Sequence, residues 1–413
     1  MLLAINIIGI IVFIGIAYLL SNDRKNISWK SVGAILLVQL ILAWFFLKFS
    51  WGRDVIMAVS DFFNWLLKAA YAGIAFAVPD WVTPPAGGSM NFVTGVVLPI
   101  LVIIPLFDVL MYVGIMPAII KFIGKGLSKV TGQPKFESFF SIEMMFLGTT
   151  EVLPVVQLQL RQMSARRNLT VAMMSISAVS ASILGSYVKM MPGAYVLTAI
   201  PLNILSAVAM SIILNPTKID PAEDIVADIS VNPATGEKQK REPFFGYLGA
   251  SILGAGKVAL IIIASVIGFV GLATLVDNTF ALTGFKWLSL ENIFGVIMFP
   301  FAWLLGNDVT HAFHMAQLMG TKLVTNEFVV MGQVSKAALA GTGLFADKHF
   351  LAGLTVFTTS FANFGTLGMV IGEYRSMTSQ DTADYVAKHV PLILISGILV
   401  SLLSAAMAGL FVW

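Results

Sequence analysis

Apolar residues in this chain gather into runs of about twenty, parted by short polar intervals, as helices that cross a hydrocarbon core about 30 Å thick require. The first run, Leu2 to Leu20, has its charges behind it, at Asp23, Arg24, Lys25 and Lys30. Lacking a basic leader, it reads as a retained span, and the basic residues that follow assign their loop to the cytoplasm and the N-terminus to the outside. A second run, Val32 to Phe49, returns to the outside near Trp51 and Arg53. Further runs cover Phe92 to Val113, Leu169 to Met191, Val196 to Leu214, Phe244 to Leu275, Phe350 to Ile371 and Val390 to Phe411, the last ending outside. The pattern predicts eight membrane-spanning helices.

Three stretches break the pattern. From Val55 to Ala77 polar groups (Asp61, Asn64, Lys68) alternate with aromatics and leucines, which predicts a helix lying along the membrane surface. Ser138 to Leu160 has basic clusters at both ends: Lys121, Lys125, Lys129 and Lys135 before it, Arg161, Arg166 and Arg167 after it. Both ends then face the cytoplasm, which a straight span cannot satisfy and a re-entrant helical hairpin can. Ile293 to Ala346, interrupted by Gly306, Asn307 and Asp308, predicts a second hairpin that dips in from the outside if Glu373, Tyr374 and Arg375 are cytoplasmic. Opposed hairpins are the mark of an inverted repeat. The expected organisation is 1–90, N-terminal spans and interfacial helix; 91–137, scaffold helix and amphipathic segment; 138–214, first repeat; 215–242, a charged cytoplasmic loop; 243–292, a long scaffold helix; and 293–413, second repeat.

Composition supports this. Of 413 residues, 58% are hydrophobic and 11% charged, against about 25% charged in soluble domains, and the mean hydropathy is +0.89. The net charge of +3 is spread between apolar runs and forms no stripe for nucleic acid. With no cysteine, disulfides, iron–sulfur clusters and thiolate chemistry are excluded. His311 and His314, beside Asp308, form no zinc-protease motif and read as a polar turn at the water interface.

Chemistry is expected where polar groups interrupt apolar sequence. Phe146 Leu147 Gly148 Thr149 Thr150 Glu151 Val152 Leu153 Pro154 sets a carboxylate and two hydroxyls among helix breakers. A carboxylate at membrane depth is a candidate functional group, and broken helices there line cavities. Leu323 Val324 Thr325 Asn326 Glu327 Phe328 repeats the order leucine, any residue, threonine, polar, glutamate. Matched interruptions in two halves point to a transporter's midplane site. A third stretch, Phe361 Ala362 Asn363 Phe364 Gly365 Thr366 Leu367 Gly368, puts Asn363 and Thr366 on one face of a helix, where they serve either a ligand or bonds between helices.

Together these three motifs resemble the concentrative nucleoside transporters, and the likeness extends over nearly the whole chain. The resemblance implies an all-α homotrimer in the cell membrane, a bacterial inner membrane, with eight spans and two re-entrant hairpins per protomer, carrying nucleosides inward by an elevator-type movement on an ion gradient, without a cofactor. It implies that Thr149, Thr150 and Glu151 face the nucleobase with Ile183 packed against it, that Glu327, Asn363 and Thr366 bind the ribose hydroxyls, and that Phe361 lies against the sugar. Thr366 and Gly365 stand where serine is usual.

Two departures bear on specificity. Glutamine is frequent in the family at Thr149, and some pyrimidine-selective relatives have serine at Gly148; the smaller residues here leave room for a purine. Sodium-coupled relatives have an asparagine seven residues before the hairpin glutamate, where this chain has Met144, whose thioether is a poor ligand for a hard cation. This favours a proton over sodium as the coupling ion, with Glu151 or Glu327 as carrier. The alternatives are a sodium-coupled nucleoside transporter, a carrier of another small polar solute such as a nucleobase, and an intramembrane hydrolase built on Glu151 or the His311, His314 pair. The last lacks a metal motif and a serine–histidine constellation.

Overall fold

The computed structural model describes residues 1–82, 90–148, 152–153, 155–219, 224, 242–285 and 287–413. Among them the ordered elements are helical. Six helices are long and apolar enough to cross a membrane: α1 (Leu2–Leu19), α2 (Trp29–Leu47), the stretch Val93–Tyr112 that ends in α4 (Ile100–Tyr112), α10 (Gly193–Leu214), α11 (Phe244–Ala281) and α18 (Val390–Gly409). At 1.5 Å per residue, α11 is about 57 Å long, well beyond one bilayer core, and most of its apolar side chains are exposed. By contrast α10 is buried almost throughout, between α2 and α18.

The stretch expected to lie along the surface is an amphipathic helix, α3 (Ser50–Ala77). It buries Ile56, Phe63, Leu67, Ala70 and Ile74, a stripe at helical spacing, and leaves Arg53, Asp54, Asp61 and Lys68 exposed. A second amphipathic helix, α5 (Ile115–Thr131), buries Met116, Ile120 and Gly124 and exposes Lys121, Lys125 and Lys129.

The expected first hairpin begins with α6 (Lys135–Leu147), which stops at Gly148 (φ 76°), and its return arm ends in α7 (Gln157–Gln162). Both ends meet α8 (Ala165–Ser175) at its start. Arg167 donates to both oxygens of Glu137 on α6, at 2.6 and 2.9 Å, and Asn168 Nδ2 donates to the carbonyls of Leu160 and Met163, at 2.9 and 3.2 Å. The two described ends of this segment thus meet at one edge. Other polar loops collect at the same edge: Asn22 N donates to Leu214 O (2.9 Å), Asn215 Nδ2 to Arg166 O (2.8 Å), and Arg166 pairs with Asp23 at 3.5 Å. The Asn26 amide, with Arg166, holds the Asp23 carboxyl below the usual carboxylate range.

Two expected spans are not continuous. Leu169 to Met191 is α8, an irregular passage and α9 (Leu184–Val188), the last entered through a tight turn at Ala181–Ile183. Phe350 to Ile371 is α15 (Lys348–Thr358), a break at 359–363 and α16 (Phe364–Met377). At both interruptions hydroxyl side chains turn back on the last turn of the preceding helix: Ser175 Oγ bonds Val171 O at 2.8 Å, Thr358 Oγ1 bonds Leu354 O at 2.8 Å and Thr359 Oγ1 bonds Thr355 O at 2.8 Å.

The second hairpin region also departs from the expectation of two arms over Ile293 to Ala346. It holds three helices, α12 (Leu290–Leu304), α13 (Val309–Val324) and α14 (Glu327–Ala340). The interruption at Gly306, Asn307 and Asp308 is the turn between α12 and α13, because Gly306 takes φ 88° and Asp308 caps α13 by accepting from Thr310 N and His311 N. The tip bearing Glu327 lies one helix later. A short helix, α17 (Gln380–Lys388), then leads into α18.

Glycine sets how closely α12 and α13 pack. A Cβ at Gly320 would lie 2.2 Å from Phe294 Cβ. Gly320→Ala therefore has to push the two helices apart, at a cost of about 1–3 kcal/mol, and we expect a lower melting temperature in detergent. Gly249→Ala, where a Cβ meets nothing within 4 Å, leaves melting unchanged or raises it; equal melting of both variants would contradict this packing.

Candidate functional site

Two helix N-termini converge inside the molecule. Asn326 caps α14, its Oδ1 accepting from Val329 N at 3.0 Å, so that Glu327 is the first helical residue. Asn363 caps α16, its Oδ1 accepting from Thr366 N at 2.8 Å. Asparagine suits both places because its short side chain reaches the orphan N–H groups of the first turn. Asn363 therefore lies at the end of a helix, not within one beside Thr366 as the spacing suggested. The cap still brings the two together, and both are buried.

The amide left over from capping reaches the other helix. Asn363 Nδ2 donates to Glu327 Oε2 at 3.2 Å, across the break between α15 and α16. Tyr187 of α9 donates its hydroxyl to Glu327 Oε1 at 3.1 Å, and its ring sits 5.1 Å from that of Phe328. The carboxylate thus has one donor on each oxygen and sits at the positive end of α14. Glu327 is 4% exposed and Tyr187 fully buried.

A cation completes the arrangement. Lys322 of α13 is fully buried and close enough to Glu327 for the two charges to act on each other. Its Nζ donates to Phe357 O at 3.0 Å and to Ser401 Oγ at 3.4 Å, and lies 4.6 Å from the centre of the Phe357 ring. Phe357 O belongs to the last turn of α15, where the helix dipole is negative. A neighbouring carbonyl, Thr359 O in the break, accepts from Asn203 Nδ2 of α10. Both ends of the broken α15–α16 segment therefore carry polar partners at membrane depth.

Of the residues singled out in the sequence, Glu327, Asn363 and Thr366 are brought together directly. Phe361, half-buried, lies in the same break. Ile183 is buried in the turn before α9, four residues ahead of Tyr187. Thr149, Thr150 and Glu151 lie outside the described residues. The residue before them, Gly148, is held against the α8–α9 passage, since a Cβ there would sit 2.7 Å from Ser180 Cβ. Met144, four residues earlier, is wholly buried. Sequence reasoning missed Tyr187 and Lys322. Lys322 could have been found by the rule that picked out Glu327, a charge inside an apolar run; Tyr187 carries no such mark.

His311 Nδ1 lies 2.6 Å from Asp308 Oδ2 at the cap of α13, and His314 packs against Phe345 and Phe350. Among the described residues no three metal-ligating side chains come together.

Comparison with known proteins agrees with this architecture. Residues 195–409 match the C-terminal region of Na+ dependent nucleoside transporters, and residues 8–81 match their N-terminal region. The chain is 41% identical over 409 residues to the purine nucleoside transport protein NupG of Bacillus subtilis (strain 168), covering 99% of each. It superposes on CNTnw in an inward-facing substrate-bound state with a TM-score of 0.90 at 27% identity, covering 100% of this chain and 98% of that one. A doubly substituted CNTnw in an outward-facing state gives a TM-score of 0.90 at 26% identity, with coverage of 100% and 98%.

Replacing Lys322 removes a buried cation that acts on Glu327 and its bonds to Phe357 O and Ser401 Oγ, and an uncompensated buried charge is destabilising. Lys322→Met is therefore expected to melt well below the wild type in detergent, and Lys322→Met with Glu327→Gln to regain part of the loss. Strictly additive losses in the double variant would show that Lys322 does not compensate Glu327.

Proposed function

The chain belongs to the concentrative nucleoside transporter family, and from that premise we propose that it imports nucleosides, purine nucleosides above all, on a proton gradient. It is a multi-pass membrane transporter, not an enzyme. The observation that carries the substrate assignment is the Glu327–Asn363 pair, 3.2 Å apart at two facing, buried helix ends. A carboxylate that accepts and an amide that both donates and accepts match the two hydroxyls of a ribose. A nucleoside that bridges them would take over part of the bonding these side chains now give each other.

In this reading Glu327, Asn363 and Thr366 hold the sugar and Phe361 covers it. Ile183 and the first-hairpin residues Thr149, Thr150 and Glu151 surround the base. Small residues at 148 and 149 and the likeness to a purine nucleoside transport protein both support the purine preference. Met144 in place of an oxygen ligand supports proton over sodium coupling, and the two glutamates of the motifs, Glu151 and Glu327, are the carriers the sequence offers. The recurrent order of helix, polar tip, broken helix and long apolar helix, seen in α6 to α10 and again in α13 to α18, supports an inverted repeat. Eight passes with both termini outside, a homotrimer and an elevator-type movement complete the proposal.

Hydrogen bonds to charged groups contribute about 1.5–3 kcal/mol, or one to two decades in affinity. Glu327→Gln in proteoliposomes should therefore raise the KM for labelled adenosine by that order, and unaltered uptake kinetics would remove Glu327 from the site. In competition assays adenosine and guanosine should outcompete uridine, and the reverse order would refute the purine preference. Uptake should persist in sodium-free buffer and collapse with a protonophore; uptake that vanishes without sodium and ignores the protonophore would refute proton coupling.

A further inference from the structure

A third carboxylate lies inside the first hairpin and plays no part in the site described above. Glu143, on α6, stands five residues before the turn at Gly148 and is 1% exposed. Its Oε2 has no hydrogen-bond partner among the described residues. The residues one turn away on its own helix, Phe139, Phe140, Phe146 and Leu147, are apolar. Charged groups on the elements packed against α6 are either committed or turned outward. On α8, Arg167 holds Glu137 and Arg166 pairs with Asp23. Lys121, Lys125 and Lys129 of α5 are exposed, α10 contributes only Tyr195 as a titratable group, and the turn before α9 contributes none. Glu327 is compensated by Tyr187, Asn363 and Lys322. Among the described residues Glu143 has no such company.

A buried carboxylate with no hydrogen-bond partner on one oxygen among the described residues is far costlier to bury charged than neutral. The neutral acid fits the enclosed arm, and the charged form needs water. We propose that Glu143, in place of the two motif glutamates Glu151 and Glu327 that the sequence offers, is the proton carrier of the transport cycle, a deepening that rests on the proton-coupled reading above. Facing the outside, the carboxylate takes a proton from water, an O–H bond forms and the charge is lost; the neutral arm then encloses with the nucleoside. When the site opens inward, water reaches the acid, the O–H bond breaks and the proton leaves on the cytoplasmic side. One proton crosses per nucleoside, and no other group is consumed.

The test uses the full chain in sodium-free liposomes holding a pH-sensitive dye, with labelled adenosine as substrate. In the wild type an acid-outside gradient should accelerate uptake, and adding adenosine should acidify the lumen. Glu143→Gln should still exchange labelled for unlabelled adenosine but lose both the acceleration and the adenosine-linked acidification. A Glu143→Gln protein that acidifies like the wild type overturns the assignment and leaves proton coupling standing. A wild type that moves no protons with adenosine refutes the proton-coupled reading itself, and this inference with it. If Glu143→Gln exchanges nothing, Glu143→Asp decides: proton-linked uptake with a displaced pH dependence supports the proposal, and a wild-type pH profile, or no uptake with normal adenosine binding and an undiminished melting temperature, overturns it.

Discussion

The arrangement around Glu327 answers to the cost of burying a carboxylate. Glu327 bears that cost through four features: the phenol of Tyr187, the amide of Asn363, the charge of Lys322 and the N-terminal end of α14. None of these comes from the same stretch of regular helix. They require a helix that starts at residue 327, another that starts at 364, a lysine on the preceding arm and a tyrosine from the other half of the chain. The fold is organised so that these four can meet.

Broken helices make the meeting possible. An unbroken span from 350 to 371 would bury its backbone groups in its own ladder and offer nothing to a neighbour. Interrupted at 359–363, it presents carbonyls at the end of α15 to Lys322 and Asn203, and a capping amide at the start of α16 to Glu327. The matching passage between α8 and α9 receives Gly148 of the first hairpin and leads to Tyr187. Irregular backbone survives at this depth because protein side chains, not lipid, satisfy it.

Much of this was legible in the sequence, for reasons that also explain what was not. Glu327, Asn363 and the Gly148-to-Glu151 stretch stand out because each violates the apolar pattern, and charge at membrane depth is costly enough to be informative. Hydropathy averages over about nineteen residues, so it registered 169–191 and 350–371 as spans and was blind to interruptions made by a few serines and threonines, which are only mildly polar. Ile293 to Ala346 holds three helices where two arms were expected, because Gly306, Asn307 and Asp308 are strong turn formers and a turn signal does not say which pair of helices it joins. Tyr187 was invisible because its ring belongs in an apolar span and only its hydroxyl does the bonding.

The central claim is that the two helix ends at Glu327 and Asn363 form the sugar-binding half of a nucleoside site. The most direct measurement is an experimental density map of the wild-type protein with adenosine bound. The account predicts both ribose hydroxyls within hydrogen-bonding distance of the Glu327 carboxylate and the Asn363 amide, with the base turned towards Ile183 and the first hairpin. Adenosine seated elsewhere, with the Glu327–Asn363 bond intact and untouched, would contradict it.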